Sequence, residues 1–151
     1  MNTTATNTVR LHRVLRAPPA RVYRAFTDAD ALARWLPPNG FVGKVHEMDA
    51  RVGGRYRMSF TNFSTGNSHG FTTTYLELAP GERLVYVAVF DDPGLPGEIK
   101  STVTLTKVSC GTELHVTQEG IPAAIPAEAC MLGWQESLEH LARLVEPEIP
   151  G

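Results

Sequence analysis

Cysteine is scarce in this chain: Cys110 and Cys130 are the only two in 151 residues, and they lack C-x-x-C spacing. That usage argues against a disulfide framework and for a reducing compartment, so a cytoplasmic location is expected. No apolar run approaches membrane-spanning length, and the opening MNTTATNT has no charged-then-apolar signal architecture. A basic excess is missing too. With a formal net charge of −2 and 20% charged residues, nothing suggests nucleic acid as a partner. The five histidines, His12, His46, His69, His115 and His140, show no H-x-x-x-H or H-E-x-x-H arrangement, so no metal is expected. Val52-Gly53-Gly54 is not followed by Lys-Ser/Thr and a helix, which excludes a phosphate loop, and no G-x-S-x-G elbow precedes a triad. No cofactor is implied.

What the chain does have is length enough for one domain. A protein of this size buries about 68–70% of its unfolded surface and needs no staple. Its longest periodic segment is Pro126 to Val145. There Ala127, Cys130, Met131, Trp134, Leu138, Leu141 and Val145 recur at steps of three and four, an amphipathic helix stripe roughly 27 Å long. Such a stripe needs a partner of equal length. The strand-like sequence from Gly43 to Glu119 is the candidate. Glu136–His140 and Glu139–Arg143 read as i,i+4 pairs on the helix's solvated face.

The rest follows in order. Residues 1–7 are expected to be disordered. Val9, Leu11 and Leu15 alternate with Arg10, His12, Val14 and Arg16 as a strand, ended by Ala17-Pro18-Pro19. Two short helices follow. Val22, Tyr23, Ala25 and Phe26 mark the first; Leu32, Trp35 and Leu36 mark the second, capped by Asp28 or Asp30 and broken at Pro37-Pro38. Strand signals then recur at Val42–Arg51, Arg55–Thr61, Gly70–Leu78, Arg83–Phe90, Ile99–Val108 and Thr112–Glu119, separated by turn residues. Joined by short turns, they predict an antiparallel meander closed by the terminal helix, an α+β fold. Residues 147–151 are a tail.

Six motifs in this order resemble a known family. Ala17-Pro18-Pro19 before Phe26-Thr27-Asp28 and Leu32-Ala33-Arg34-Trp35 is similar to the opening of START-like (SRPBCC) proteins. Asp49-Ala50-Arg51-Val52-Gly53-Gly54, Pro80-Gly81-Glu82-Arg83-Leu84-Val85, Gly111-Thr112-Glu113-Leu114, Thr117-Gln118-Glu119-Gly120 and Gly133-Trp134 resemble the branch named for the activator of the Hsp90 ATPase. The resemblance covers Val9 to Glu146 and implies a START-like domain over residues 8–146. It also implies a helix-grip fold: a curled antiparallel sheet of six to seven strands around the C-terminal helix, with an apolar cavity between them. Members bind lipids, polyketides and other hydrophobic molecules, and a few are cyclases or hydrolases. One departure is visible. Where the branch often reads phenylalanine, threonine, tryptophan, this chain has Tyr86-Val87-Ala88, which should enlarge the cavity.

The strand alternation then nominates a lining. From the second helix and the strands come Trp35, Phe41, His46, Met48, Tyr56, Met58, Phe60, Tyr75, Tyr86, Ala88, Val103, Leu105 and Gln118. From the helix come Cys130, Met131, Trp134 and Leu138. The same pattern describes a dry core, and the two readings stay open here. The mixing of Met48, Met58 and Met131 with tyrosines favours an adaptable pocket. Binding of a small hydrophobic molecule is the first expectation. An enzyme of the cyclase or hydrolase type, with Tyr56, His46 or Gln118 orienting substrate, is the second. No catalytic pair is identifiable by spacing. Co-chaperone work, implied by the branch name, is the third; one grip domain leaves no room for a separate partner-binding domain. A homodimer through exposed sheet edges is compatible with the pattern.

Overall fold

The computed structural model describes residues 7–151 of the chain. Among them, seven strands form one antiparallel, curled sheet: β1 (Asn7–Leu15), β2 (Phe41–Met48), β3 (Arg55–Asn62), β4 (Ser68–Ala79), β5 (Arg83–Phe90), β6 (Ile99–Val108) and β7 (Gly111–Ile121). Between β1 and β2 lie α1 (Pro19–Ala25) and α2 (Ala29–Trp35), and α3 (Ala127–Val145) closes the chain. The spatial order is β1-β7-β6-β5-β4-β3-β2. The meander therefore runs from β2 to β7, and β1 returns to pair with β7. This is the helix-grip arrangement, with α3 as the gripped helix. Disorder was expected over 1–7. Residues 1–6 lie outside the described residues, whereas Asn7 opens β1 and its Nδ2 donates to the Ile125 carbonyl at 2.6 Å.

Local sequence explains each boundary. Pro19 suits the first turn of α1 because its missing N–H is not needed there. Asp28 caps α2, its Oδ1 accepting from the Ala31 N–H at 2.9 Å. The Asp49–Gly54 turn is a backbone lock. Gly54 N–H donates to the Arg51 carbonyl at 2.8 Å, Gly53 N–H to Tyr75 O at 2.8 Å, and Arg51 Nε to Asp49 Oδ2 at 2.6 Å. A Cβ on Gly54 would strike the Asp49 carbonyl, so glycine is required there.

The half of the concave face under α1 is solidly filled. Leu84, Val103, Leu114 and Tyr75 are fully buried, and Leu105 nearly so. The Tyr75 hydroxyl donates to the Phe26 carbonyl at 2.9 Å, and Trp35 Nε1 donates to Ala25 O at 2.8 Å with its ring edge-on to Phe26. The C-terminal half of α3 packs here too, burying Leu138, Leu141 and Val145. Its end is held by Arg21, whose Nη1 donates to Val145 O at 2.9 Å.

α2 crosses β2 closely at Gly43. A Cβ there would sit 2.5 Å from Pro37 Cγ, 2.9 Å from the Ala33 carbonyl and 2.9 Å from Met58 Cε. Gly43→Ala is therefore expected to destabilise by about 1–3 kcal/mol through overpacking. Urea denaturation checks this. A variant as stable as the parent would mean that α2 does not press on β2 as described.

Candidate ligand cavity

Beside the filled half, register places inward residues in two rows across the sheet, the second of which starts within it at Tyr75. One runs Tyr56, Thr73, Ala88, Ile99; the other runs Tyr75, Tyr86, Ser101, Gln118. Three positions within these rows are small: Thr73, Ala88 and Ser101. Opposite them α3 presents Gly133 and Ser137, which are small as well. Small residues on both sides leave a gap of about 210 Å³ that is partly open to solvent. Phe60, Phe71, Phe90, Ile99, Ile121 and Trp134 complete its walls, and Leu36, Pro38, Ile125 and Cys130 reach it from the loops and the helix.

A polar chain ties helix to sheet across this gap. Trp134 Nε1 donates to Gln118 Oε1 at 3.0 Å, and the Cys130 thiol donates to the same oxygen at 3.3 Å. Gln118 Nε2 in turn donates to Ser101 Oγ at 3.0 Å. The loop over the rim is held from α3. Ser137 Oγ donates to Leu36 O at 2.6 Å, His140 contacts Pro37 O and Asn39, and Glu136 accepts from the Asn39 N–H at 3.1 Å. Glu136 and His140 thus both serve this loop, through the Asn39 N–H, the Pro37 carbonyl and the Asn39 side chain. Glu139–Arg143 is a salt bridge at 3.6 Å.

Asp, Glu, His, Lys and Arg are all missing from the lining. The titrating groups that remain are kept neutral by burial. Tyr56 is pushed up to about 12 by desolvation, the nearby Thr73 hydroxyl pulling the other way without reaching hydrogen-bond geometry. Tyr86 is raised by desolvation and then by Tyr56, the Ser101 hydroxyl pulling the other way, and Cys130 is raised by desolvation. A thiol held protonated is a poor nucleophile, and a phenol with a raised pKa is a poor general base.

Of the residues nominated by alternation, the structure brings Tyr56, Phe60, Tyr86, Ala88, Gln118, Cys130 and Trp134 to the cavity. The others sit elsewhere. His46 is exposed and pairs with Ser59 Oγ at 2.8 Å on the outer face. A register shift between Val45 and Glu47 ends the period-two parity that would have pointed it inward. Met58, Val103, Leu105, Trp35 and Tyr75 belong to the filled half, and Met48 packs beside them. Met131 and Leu138 border a surface groove against β1. Phe41 packs against Phe60, ring centroids 6.4 Å apart, outside the lining. The adaptable pocket argued from methionine is therefore not what is built. Thr73, Phe71, Ser101 and Ser137 were missed. Period two from Tyr75 reaches Thr73 and Phe71, and from Val103 reaches Ser101, so parity was the available signal.

Outside the cavity, His12, Glu113 and His115 meet on the outer face of β1 and β7, their donor atoms within 4.8 Å of one another. His12 Nε2 lies 2.9 Å from Glu113 Oε2. Spacing within one strand hid this, because His12 and His115 are cross-strand partners.

The fold and cavity define a START-like, helix-grip protein of the kind that encloses apolar ligands. Residues 16–146 match the family described as Activator of Hsp90 ATPase homolog 1-like protein, and the chain belongs to it. Among solved structures it is similar to protein CV1439 from Chromobacterium violaceum, with 63% identity, TM-score 0.93, and coverage of 94% of this chain and 99% of that one. A Rhodobacter sphaeroides protein is 25% identical over 91% of this chain and 90% of its own, with TM-score 0.78. Protein NE0264 from Nitrosomonas europaea, 21% identical with TM-score 0.77 over 92% and 94% of the two chains, shares the fold. No curated protein matches significantly. No helix of the described residues is long and apolar enough to cross a membrane.

Two variants test this geometry. Gln118→Leu strands the Trp134 N–H in a buried site and is expected to cost about 1–3 kcal/mol; an unchanged denaturation midpoint would remove the helix-to-sheet tie. A Cβ on Gly133 meets nothing within 4 Å. Gly133→Ala should therefore stabilise the protein by about 1 kcal/mol, the helix-propensity difference, and a loss of stability would show that the helix packs closely there.

Proposed function

We propose that this protein binds a small hydrophobic molecule in the gap between the sheet and the N-terminal half of α3. The observation that carries this reading is the facing of small on small. Thr73, Ala88 and Ser101 oppose Gly133 and Ser137 where larger apolar residues would close the interior. The lining is mostly apolar with a few convergent polar groups, the usual make-up of a ligand site. Membership of a family with a hydrophobic-ligand fold supports the same reading.

Catalysis by acid–base chemistry fits the site poorly. The lining offers only hydroxyls, one amide, one indole and one protonated thiol. His46, the histidine nominated to orient a substrate, faces away from it. Sequestration, delivery or sensing of a ligand asks nothing more of the cavity than shape and solvation.

Ala88→Trp places an indole into the gap from the central strand. Binding of toluene, a neutral single-ring hydrocarbon, is expected to fall at least about tenfold, with the fold kept because the volume exists to receive the ring. Calorimetric titration against wild type reads this. Binding of neither toluene nor the larger N-phenylnaphthylamine by the wild-type protein, together with no small molecule recovered on solvent extraction and mass spectrometry, would overturn the binding reading.

A further inference from the structure

The chemistry of the lining narrows the occupant, and this step rests on the binding reading above. Size comes first. About 210 Å³ holds the liquid volume of about seven waters, and a dry cavity of about 150 Å³ accepts benzene. It lies below the range of roughly 300–1,000 Å³ typical of sites for larger ligands. A single ring with one short substituent fits; a long acyl chain or a fused polyketide does not.

Charge comes second. The lining supplies no cation or anion, so an ionised ligand would leave water without a partner charge. The occupant is neutral.

Hydrogen bonding decides the rest. Thr73 is fully buried, lines the cavity, and its Oγ1 is a buried side-chain oxygen with no hydrogen-bond partner among the described residues. Such orphans are uncommon in folded proteins, and an unseen partner in the adjoining cavity accounts for this one. The balance of donors and acceptors says what that partner brings. Gln118 Oε1, the strongest acceptor in the lining, already receives both the Trp134 N–H and the Cys130 thiol. The Tyr86 phenol, raised by burial and so protonated, turns to Ser101 rather than to Thr73. Thr73 is the one buried lining side chain left without a partner among the described residues, and with Gln118 Oε1 already taken its proton has no free carboxamide to reach, so a ligand satisfies it by supplying an acceptor oxygen.

We propose that the cavity takes a neutral, single-ring molecule bearing a carbonyl-type acceptor oxygen, received by the Thr73 hydroxyl between Tyr56 and Ala88. Tyr56 and Ala88 flank Thr73 directly as its cross-strand partners. The alternative occupant of an orphan hydroxyl is ordered water, and the experiment separates the two.

Acetophenone, its near-isosteric hydrocarbon cumene, and benzoate form the probe set, titrated by calorimetry into wild type and Thr73→Val. That variant replaces an unsatisfied hydroxyl by a methyl of the same shape, so it is expected to fold at least as stably. In wild type, acetophenone should bind about three- to tenfold tighter than cumene, the worth of one net hydrogen bond, and benzoate should not bind. Thr73→Val should erase the preference by weakening acetophenone and leaving cumene unchanged. Equal binding of cumene and acetophenone, or a preference that survives in Thr73→Val, overturns the acceptor assignment while the cavity reading stands. Binding of benzoate overturns neutrality. Uptake of N-phenylnaphthylamine without any single-ring compound overturns the size assignment alone. Failure of every probe, N-phenylnaphthylamine included, overturns the binding reading itself.

Discussion

A helix tied to a sheet at both ends of a gap is the constraint on which the rest of this structure depends. At its C-terminal half, α3 is seated by close apolar packing of Leu138, Leu141 and Val145. At its N-terminal half the spacing is set by a polar tie, Trp134 to Gln118 to Ser101. That tie has a fixed length, and side chains on either side are too small to fill the space it spans. A hydrogen bond holds only while its geometry is met, so the helix cannot settle onto the sheet without breaking it. The cavity follows from this.

Much of the architecture was legible from the chain. The strands Arg83–Phe90 and Ile99–Val108 and the helix end at Val145 lie where alternation and turn residues put them. Of the two aspartates offered as the α2 cap, Asp28 is the one that serves, and the helix-grip family resemblance agrees with the structure as well. These features are local: each is set by a run of a few residues whose period or capping chemistry leaves one reading.

The cavity was less legible, for a physical reason. Alternation distinguishes inward from outward, and by that measure Met58, Val103 and Tyr75 qualify as well as Tyr86 and Ala88. Whether an inward residue meets a ligand or another side chain depends on what stands opposite, which is a matter of register and helix rotation. Tyr75 is spent on the Phe26 carbonyl because α1 lies above it. Thr73, two residues away, has no such partner. Small inward residues are the informative ones, and a polar–apolar pattern passes over them. His46 fails differently: a bulge in an edge strand breaks parity within one residue and leaves no mark in composition.

The most direct measurement is a crystal structure of the protein soaked with 4-bromoacetophenone, read by the anomalous signal of bromine. The account predicts a single strong peak between Ala88 and Gly133, with the ketone oxygen within hydrogen-bond distance of Thr73 Oγ1. A peak in the groove beside Leu11 and Met131, or a collapsed interior with Thr73 paired to a protein group, would contradict it.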